Sequence, residues 1–186
     1  MNQVQINPNT PWQKKHLHTL ALHYARSPFF RDYFGLFEEL YAQEWTHLAP
    51  ANIRSIELLK KAWGISTRTI RASELEASQD PTQRLIDLCR AVGGKTYLSG
   101  PDGAKYMQLE RFQEAGIEVI FQQFHHPTYS QLYGDFLSNL SAVDLLFNCG
   151  PRGLELIRKE REGCERRACW PSEPTRTISS MAVGER

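Results

Sequence analysis

The sequence has little net charge, because 22 Lys and Arg residues nearly balance 21 Asp and Glu residues to give a formal charge of +1. A protein that binds nucleic acid over its whole surface carries a clear basic excess, which this chain does not have. It also lacks the ~20 consecutive apolar residues that a membrane-spanning helix needs. Stretches such as Ala142–Phe147 are far shorter. We therefore expect no membrane span and no general affinity for nucleic acid.

Cysteines are few and are not arranged in pairs. The four of them, Cys89, Cys149, Cys164 and Cys169, show neither Cys-x-x-Cys spacing nor a matching Cys and His set. This weighs against a structural zinc site and a disulfide framework. Residues Met1–Val4 have neither the basic nor the apolar region of a signal peptide. The sequence thus predicts reduced thiols and a cytoplasmic protein; it indicates no metal ligands and leaves any cofactor unknown.

The first third of the chain is predicted to be helical. Gln3–Ile6 alternates polar and apolar residues, which is typical of a short edge strand. Capping residues and prolines, with Thr10-Pro11 and Ser27-Pro28 as the predicted starts of the first two helices, divide the rest of this third into three helices. The predicted helices run from Pro11 to about Ala25, from Phe29 to Tyr41, and from about Asn52 to Gly64.

From Ile65 onward, β-branched stretches alternate with helical ones. The predicted strands are Ser66–Ala72, Thr96–Ser99 and Ile117–Phe124. The predicted helices between them run to Val92, with Asp80 as the N-cap before Pro81, and from Ala104 to Ala115. Such alternation with short loops builds a parallel sheet. The expected fold class is α/β, with a helical N-terminal third and a small, Rossmann-like parallel βαβαβ sheet. The sheet looks incomplete beside the ~5 strands of a typical sheet.

A short helix capped by Ser141 and ended by Gly150-Pro151 follows the predicted sheet. Beyond about Arg161 the sequence loses its apolar periodicity. We expect one α/β domain over residues 1–160 and an unstructured tail over residues 161–186.

The loop that follows the predicted strand Thr96–Ser99 is a candidate binding site. It contains Ser99, Gly100, Asp102 and Gly103, with Lys105 just beyond. Open α/β sheets bind ligands at the C-terminal ends of parallel strands, where Ser99 could bond a ligand and Lys105 could neutralise a phosphate or carboxylate. The alternative is a plain turn in which Ser and Asp satisfy the backbone.

Polar side chains after the next predicted strand are a second candidate. His126 follows the strand end, so it could reach the same rim, and an imidazole suits general-base chemistry on an amine. A histidine before a proline can also simply cap backbone groups. Tyr129 and Gln131 either line the pocket or pack beneath it.

Two further groups of residues have chemical potential. Cys149, beside Asn148 and near Asp144, could be a nucleophile that forms a thioester with His126 as its base, although a lone cysteine at an apolar helix end is more often buried and inert. The basic start of the first helix could hold a nucleotide-sugar phosphate, or it could be a solvated face. Its residues are Lys14, Lys15 and His16.

Four segments together resemble the bacterial WbqC-like family. They are Trp12–His16, Leu98–Gly103, His126–Gln131 and Asp144–Pro151, and the resemblance runs from about Gln3 to about Leu156. Members of that family begin with a further segment that carries a Gln-Pro-x-(Tyr/Phe)-x-Pro-Trp motif. This chain resembles the C-terminal two thirds of a member, which agrees with the small number of predicted strands. It departs from the family at Arg152, where an acidic residue is usual.

The resemblance implies a role in the synthesis of O-antigen, lipopolysaccharide or another cell-surface polysaccharide. The implied activity is transfer of an acyl or aminoacyl group, of glycine type, to the amino group of a sugar. Its implied partner is a small molecule such as a nucleotide-linked amino-sugar. The alternatives are a nucleotide-binding or scaffolding module without catalysis, and a fragment that is inactive because its first segment is missing.

Overall fold

The computed structural model describes residues 3–162 and 178–179. The chain forms two compact units, and each is described by itself. The first unit is built from the residues up to 67 together with 126–160, and the second from 68–125 and the described part of 161–186. The single domain over residues 1–160 stays a prediction. The expected unstructured tail lies outside the described residues, except for 161–162 and 178–179.

Seven α-helices and three strands occur in the described part of the chain. The helices are α1 (Trp12–Tyr24), α2 (Phe30–Ala42), α3 (Leu48–Ala62), α4 (Pro81–Ala91), α5 (Leu109–Glu114), α6 (Ala142–Cys149) and α7 (Arg152–Glu162). The strands are β1 (Thr96–Ser99), β2 (Glu118–Phe121) and β3 (Ile178–Ser179). Short 3₁₀ turns lie at Ala72–Glu74 and Pro101–Lys105. Every helix among the described residues is too short or too polar to cross a bilayer.

The core of the first unit forms around α6. Leu146 and Phe147 are fully buried, and residues from α1, α2 and α3 pack against them. The ring of Phe147 lies 5.2 Å from that of Tyr24 and 5.3 Å from those of Phe30 and Phe37, measured between centroids. Each such ring buries a large apolar area, so this cluster supplies much of the hydrophobic stabilisation of the unit.

The C-terminal end of α6 is tied to its neighbours through backbone groups. The carbonyl of Phe147 accepts a hydrogen bond from the Phe29 N–H at 3.0 Å, and the carbonyl of Gly150 accepts one from the Trp63 indole at 3.0 Å. Gly150 ends the helix with a φ of 54°. Carbonyls that the helix itself leaves without a partner are thereby satisfied inside the unit.

The second unit contains the sheet. β1 pairs in parallel with β2, with Thr96 opposite Glu118 and Ser99 opposite Phe121. β3 pairs in parallel with the other side of β1, so the strand order is β2-β1-β3. The buried cluster beside the sheet consists of Ile86, Cys89, Tyr97, Met107, Phe112 and Ile117.

The predicted fold class is confirmed in its main features, which are the helical N-terminal part and a small parallel sheet in an α/β chain. The prediction of a strand at Ser66–Ala72 was wrong, because Ser66–Arg71 forms no strand and the turn Ala72–Glu74 follows it. Residues 66–74 are all exposed. A β-branched run without an apolar face to bury has nothing that favours pairing it into the sheet.

Two other predictions in this half need correction. The helix predicted at Ala104–Ala115 is split, because the 3₁₀ turn Pro101–Lys105 comes first and α5 begins only at Leu109. The strand predicted at Ile117–Phe124 is limited to β2. By contrast, Asp80 and Ser141 cap α4 and α6 as predicted, accepting bonds from Gln83 N–H at 2.7 Å and Val143 N–H at 3.3 Å.

The helix starts in the N-terminal part also differ from prediction. Thr10 and Ser27 make no side-chain cap bonds, since the helices begin later, at Trp12 and Phe30. α3 begins earlier than predicted, at Leu48, and α7 was not predicted at all. In place of an edge strand, Gln5 forms an isolated antiparallel bridge with His47.

Gly150→Ala is expected to destabilise the protein much more than Gly64→Ala. Both glycines have positive φ, 54° and 64°, a backbone conformation in which an alanine is strained. A Cβ at Gly150 would also lie 2.5–2.8 Å from ring atoms of Phe29, whereas one at Gly64 meets nothing within 4 Å. We expect this overpacking to add about 1–3 kcal/mol at Gly150 alone. Urea unfolding measures both variants, and equal losses of stability would contradict the packing argument.

Candidate functional site

A buried carboxylate lies at the centre of the first unit. Asp144 belongs to the first turn of α6 and is only 4% exposed, in a helix whose neighbouring residues Leu145, Leu146 and Phe147 are also buried. A buried charge costs several kcal/mol unless hydrogen bonds replace its lost water. The groups that bond to Asp144 therefore decide whether this helix can pack.

Three neutral side chains donate to this carboxylate. The Tyr24 hydroxyl donates to Oδ2 at 2.9 Å, and the Tyr129 hydroxyl donates to Oδ1 at 2.8 Å. The Gln131 amide nitrogen donates to Oδ1 as well, at 3.2 Å. Hydrogen bonds to an ionised acceptor are stronger than those between neutral groups. The arrangement therefore holds α1 and the segment 129–131 on the same carboxylate.

The two tyrosines stay protonated donors across the physiological range. Burial, the hydrogen bond to Asp144 and the negative charge of Asp144 raise the pKa of Tyr24 to about 12. Burial, followed by the bond to Asp144, also raises the pKa of Tyr129, while Gln131 acts in the opposite direction. Burial disfavours the charged phenolate, and a tyrosinate beside the Asp144 carboxylate would also place like charges together, so both effects raise the pKa of each tyrosine.

Gln131 closes a loop in addition to binding Asp144. Its amide nitrogen donates to the Leu137 carbonyl at 2.9 Å, and its amide oxygen accepts from the Leu137 N–H at 2.9 Å. One side chain thus makes a pair of bonds to the backbone six residues ahead. Asn148 contributes nearby, donating from its amide to the Asp144 backbone carbonyl at 2.9 Å. Because Gln131 both closes the loop 131–137 and binds Asp144, it fastens this loop to the start of α6.

His126 is part of an aromatic cluster in the same unit. Its ring centroid lies 6.0 Å from that of Tyr129 and 5.9 Å from that of Phe136, and these two rings are 5.3 Å apart. The Nδ1 atom lies 3.0 Å from the Pro127 carbonyl oxygen. Because a carbonyl only accepts, this bond requires Nδ1 to carry the proton, and the neutral ring then has its lone pair on Nε2. That is the form in which an imidazole acts as a base.

Cys149 lies at the end of α6 and is half-buried. Burial raises the pKa of its thiol, and the charge of Asp144 adds to this, while Arg152 acts in the opposite direction. The thiolate is the nucleophilic form, so a raised pKa reduces the reactive fraction near neutral pH. These surroundings favour the alternative that Cys149 is inert.

The basic residues at the start of α1 are on the surface. Lys14 and Lys15 are exposed, and the first turn of α1 contains no acidic residue. His16 packs its ring on Trp12 and Tyr41, with centroids 5.5 and 5.7 Å away. This end of α1 therefore combines two accessible cations with an aromatic surface.

The Ser99 loop belongs to the second unit and is packed on itself. Ser99 is 2% exposed, and its hydroxyl donates to the Gly100 carbonyl at 3.0 Å. Gly103 lies so close that a Cβ there would be 1.9 Å from the Ser99 hydroxyl oxygen. Lys105 forms an exposed ion pair with Asp102, which raises the pKa of the lysine. These contacts agree with the alternative to a binding site, which is a plain turn that satisfies its own polar groups. The binding role of the loop stays a prediction.

Among the predicted site residues, the structure brings together Tyr129, Gln131 and Asn148 through their bonds to Asp144. His126 contacts Tyr129. The other unit contains the remaining candidates of the loop, which are Ser99, Gly100, Asp102, Gly103 and Lys105. Sequence reasoning missed Asp144 as the centre of the network, and it missed Tyr24 as a donor. The available signal was that Asp144 is the one charged residue within the apolar run Ala142–Phe147.

The second unit also contains a groove of about 380 Å³ beside β2, lined mainly by apolar residues such as Leu109, Phe112 and Val119. None of the predicted site residues lines it. Over residues 3–162 and 178–179, no group of three His, Cys, Asp or Glu side chains is placed to hold a metal ion.

The comparisons with known proteins agree with the motifs. The model of the WbqC-like protein family matches residues 1–156. The chain belongs to that family. This WbqC-like protein is 30% identical to Rv1507c, an uncharacterized protein of Mycobacterium tuberculosis, over 155 residues that cover 82% of this chain and 67% of the relative. No solved structure matches the chain. The family resemblance inferred from the four segments is thus confirmed.

The stability of the protein is expected to fall between pH 10 and about 12, partly because of Tyr24. Its pKa is raised from 10.0 to about 12 in the folded state, so the folded protein keeps a proton that the unfolded chain loses. This contribution is fully present below pH 10 and disappears as the pH rises through the folded pKa. Urea unfolding at a series of pH values should show a shallower decline for Tyr24→Phe than for wild type. Tyr106→Phe, at a side chain that is 62% exposed, is the control; identical declines in wild type and Tyr24→Phe would contradict the argument.

Proposed function

We propose that this WbqC-like protein is a cytoplasmic transferase that attaches an acyl or aminoacyl group to the amino group of a sugar. The products would serve O-antigen or other cell-surface polysaccharide synthesis. The observation that carries the proposal is the Nδ1 bond of His126 to the Pro127 carbonyl, which puts the base lone pair on Nε2. The family resemblance supplies the class of substrate.

The proposed reaction is direct aminolysis. The sugar amine attacks the carbonyl carbon of an activated acyl donor, so a C–N bond forms and the bond to the leaving group breaks. His126 Nε2 accepts the proton that the attacking nitrogen loses and returns it to the leaving group or to solvent. A positioned base of this kind contributes about 10²–10⁴-fold to the rate. Asp144 has no part in this proton transfer; its oxygens accept the hydrogen bonds of Tyr24, Tyr129 and Gln131.

Ligand binding is proposed at two separate surfaces, one in each unit. Lys14 and Lys15, with the aromatic surface at His16, suit the phosphates and base of a nucleotide-linked amino-sugar. The Ser99 loop is proposed as a separate ligand-binding surface of the second unit, on the ground that it follows the C-terminal end of a parallel strand.

His126→Gln is expected to lower turnover about 10²–10⁴-fold with activated acyl or aminoacyl donors and nucleotide-linked amino-sugars, because glutamine keeps polar contacts but cannot accept the proton. The assay follows amide formation by mass spectrometry. His18→Gln, at an exposed histidine on α1, is the matched control. Turnover that is the same in both variants and wild type would remove His126 from the mechanism.

The same samples distinguish direct transfer from a covalent route. Direct aminolysis predicts no mass increase on the protein when donor is added without acceptor. An acyl group found on Cys149 would replace the direct route with a thioester intermediate.

The second candidate function is a nucleotide-binding module without catalysis, which the exposed lysines of α1 favour. Calorimetry with a nucleotide-linked sugar should show that Lys14→Gln/Lys15→Gln weakens binding, and that salt weakens wild-type binding in the same way. Lys61→Gln/Lys159→Gln changes two exposed lysines on other helices and is the control. Nucleotide binding without turnover would favour the module, and equal binding by both double variants would remove Lys14 and Lys15 from the site.

A further inference from the structure

The imidazole of His126 is bounded by two aromatic rings. Tyr129 lies 6.0 Å from it and Phe136 lies 5.9 Å from it, between centroids, while the two rings meet edge to face at 5.3 Å. The ring can keep its Nδ1 atom on the Pro127 carbonyl only in one orientation. The positions of Tyr129 and Phe136 therefore limit how His126 can turn.

Both rings are held by groups that converge on one oxygen atom. Tyr129 donates from its hydroxyl to Asp144 Oδ1 at 2.8 Å. Phe136 lies in the loop 131–137, which Gln131 closes through two bonds to Leu137, and Gln131 also donates to Asp144 Oδ1 at 3.2 Å. The other carboxylate oxygen, Oδ2, accepts from Tyr24 of α1. The two oxygens thus hold different parts of the unit.

We propose that Asp144 is the positioning residue of His126, acting through Tyr129 and through the Gln131-closed loop that carries Phe136. Its catalytic consequence rests on the function proposed above. Oδ1 fixes the orientation of the imidazole, and Oδ2 fastens α6 to α1.

The charge of Asp144 suits this role. An ionised carboxylate oxygen has the lone pairs to accept two hydrogen bonds at once, and each is stronger than a bond to a neutral acceptor. Because the carboxylate is 4% exposed, water competes little for these bonds. Displacing a catalytic group by about 1 Å can lower the rate about 10²-fold. Holding His126 in place can therefore offset the free-energy cost of burying the Asp144 carboxylate.

The test measures the tautomer of His126 directly, in the full-length protein and without substrate. Nitrogen chemical shifts of ¹⁵N-histidine-labelled protein report which ring nitrogen carries the proton, and the signal lost in His126→Gln assigns His126. Tyr129→Phe removes one bond to Oδ1. Gln131→Leu removes the other bond to Oδ1 together with the two bonds to Leu137 that close the loop. Tyr24→Phe is the matched control, because it removes a bond of nearly the same length from Oδ2 and its ring packs on Phe147.

The proposal expects the Nδ1–H form in wild type and in Tyr24→Phe. In Tyr129→Phe and Gln131→Leu, a substantial share of the Nε2–H form, which free histidine prefers, should appear. A wild-type pattern in both Oδ1 variants would overturn the proposal. An equal change in Tyr24→Phe would also overturn it, because the effect would then be a general loosening of the unit. If Gln131→Leu does not fold, the pair Tyr129→Phe and Tyr24→Phe decides the question.

Turnover measurements keep this inference separate from the proposed function. If His126 is the base, Tyr129→Phe and Gln131→Leu should also lower kcat by about tenfold or more. Shifted tautomers combined with full activity of His126→Gln would reject the transferase mechanism while the positioning role stands. Unshifted tautomers reject the positioning role whatever the activity.

Discussion

The buried carboxylate of Asp144 is the constraint on which the first unit depends. Left without partners at 4% exposure, it would cost several kcal/mol, so α6 can pack only when its donors are in place. One donor, Tyr24, comes from α1, and the other two, Tyr129 and Gln131, come from the irregular segment before α6. Packing of α1 and ordering of that segment are therefore coupled events. Tyr24 and Asp144, which form one of these hydrogen bonds, are 120 positions apart in the chain.

The correct fold predictions rest on features that involve only residues close together in the sequence. Asp80 and Ser141 cap their helices because a cap needs only a side chain and an N–H two or three residues away. Strand formation depends on a partner elsewhere in the chain. Ser66–Ala72 has the β-branched residues of a strand but no apolar face, and it stays out of the sheet. The correct α/β class thus came from periodicity, and the wrong strand came from propensity without burial.

The candidate site was predictable only in part, for a related reason. His126, Gln131 and Asn148 can be recognised in the sequence as polar residues near the ends of apolar stretches. That they are organised by Asp144 is a tertiary fact, because the bonds of Tyr24 and Tyr129 to it require the packed unit. Likewise, the pattern Ser99–Gly103 cannot reveal whether the serine faces a ligand or its own loop. The close approach of Gly103 decides that point in the structure.

The position of β2 has a consequence for how molecules of this protein meet one another. In the described sheet β2 is an outer strand, paired only with β1 on its inner side. An open strand edge is a template for pairing with a second chain, and proteins limit this hazard with short edge strands and charges. β2 has four residues and begins with the exposed Glu118. Two molecules whose β2 strands paired edge to edge, parallel and in register, would bring two Glu118 carboxylates together, and this repulsion disfavours that mode of aggregation.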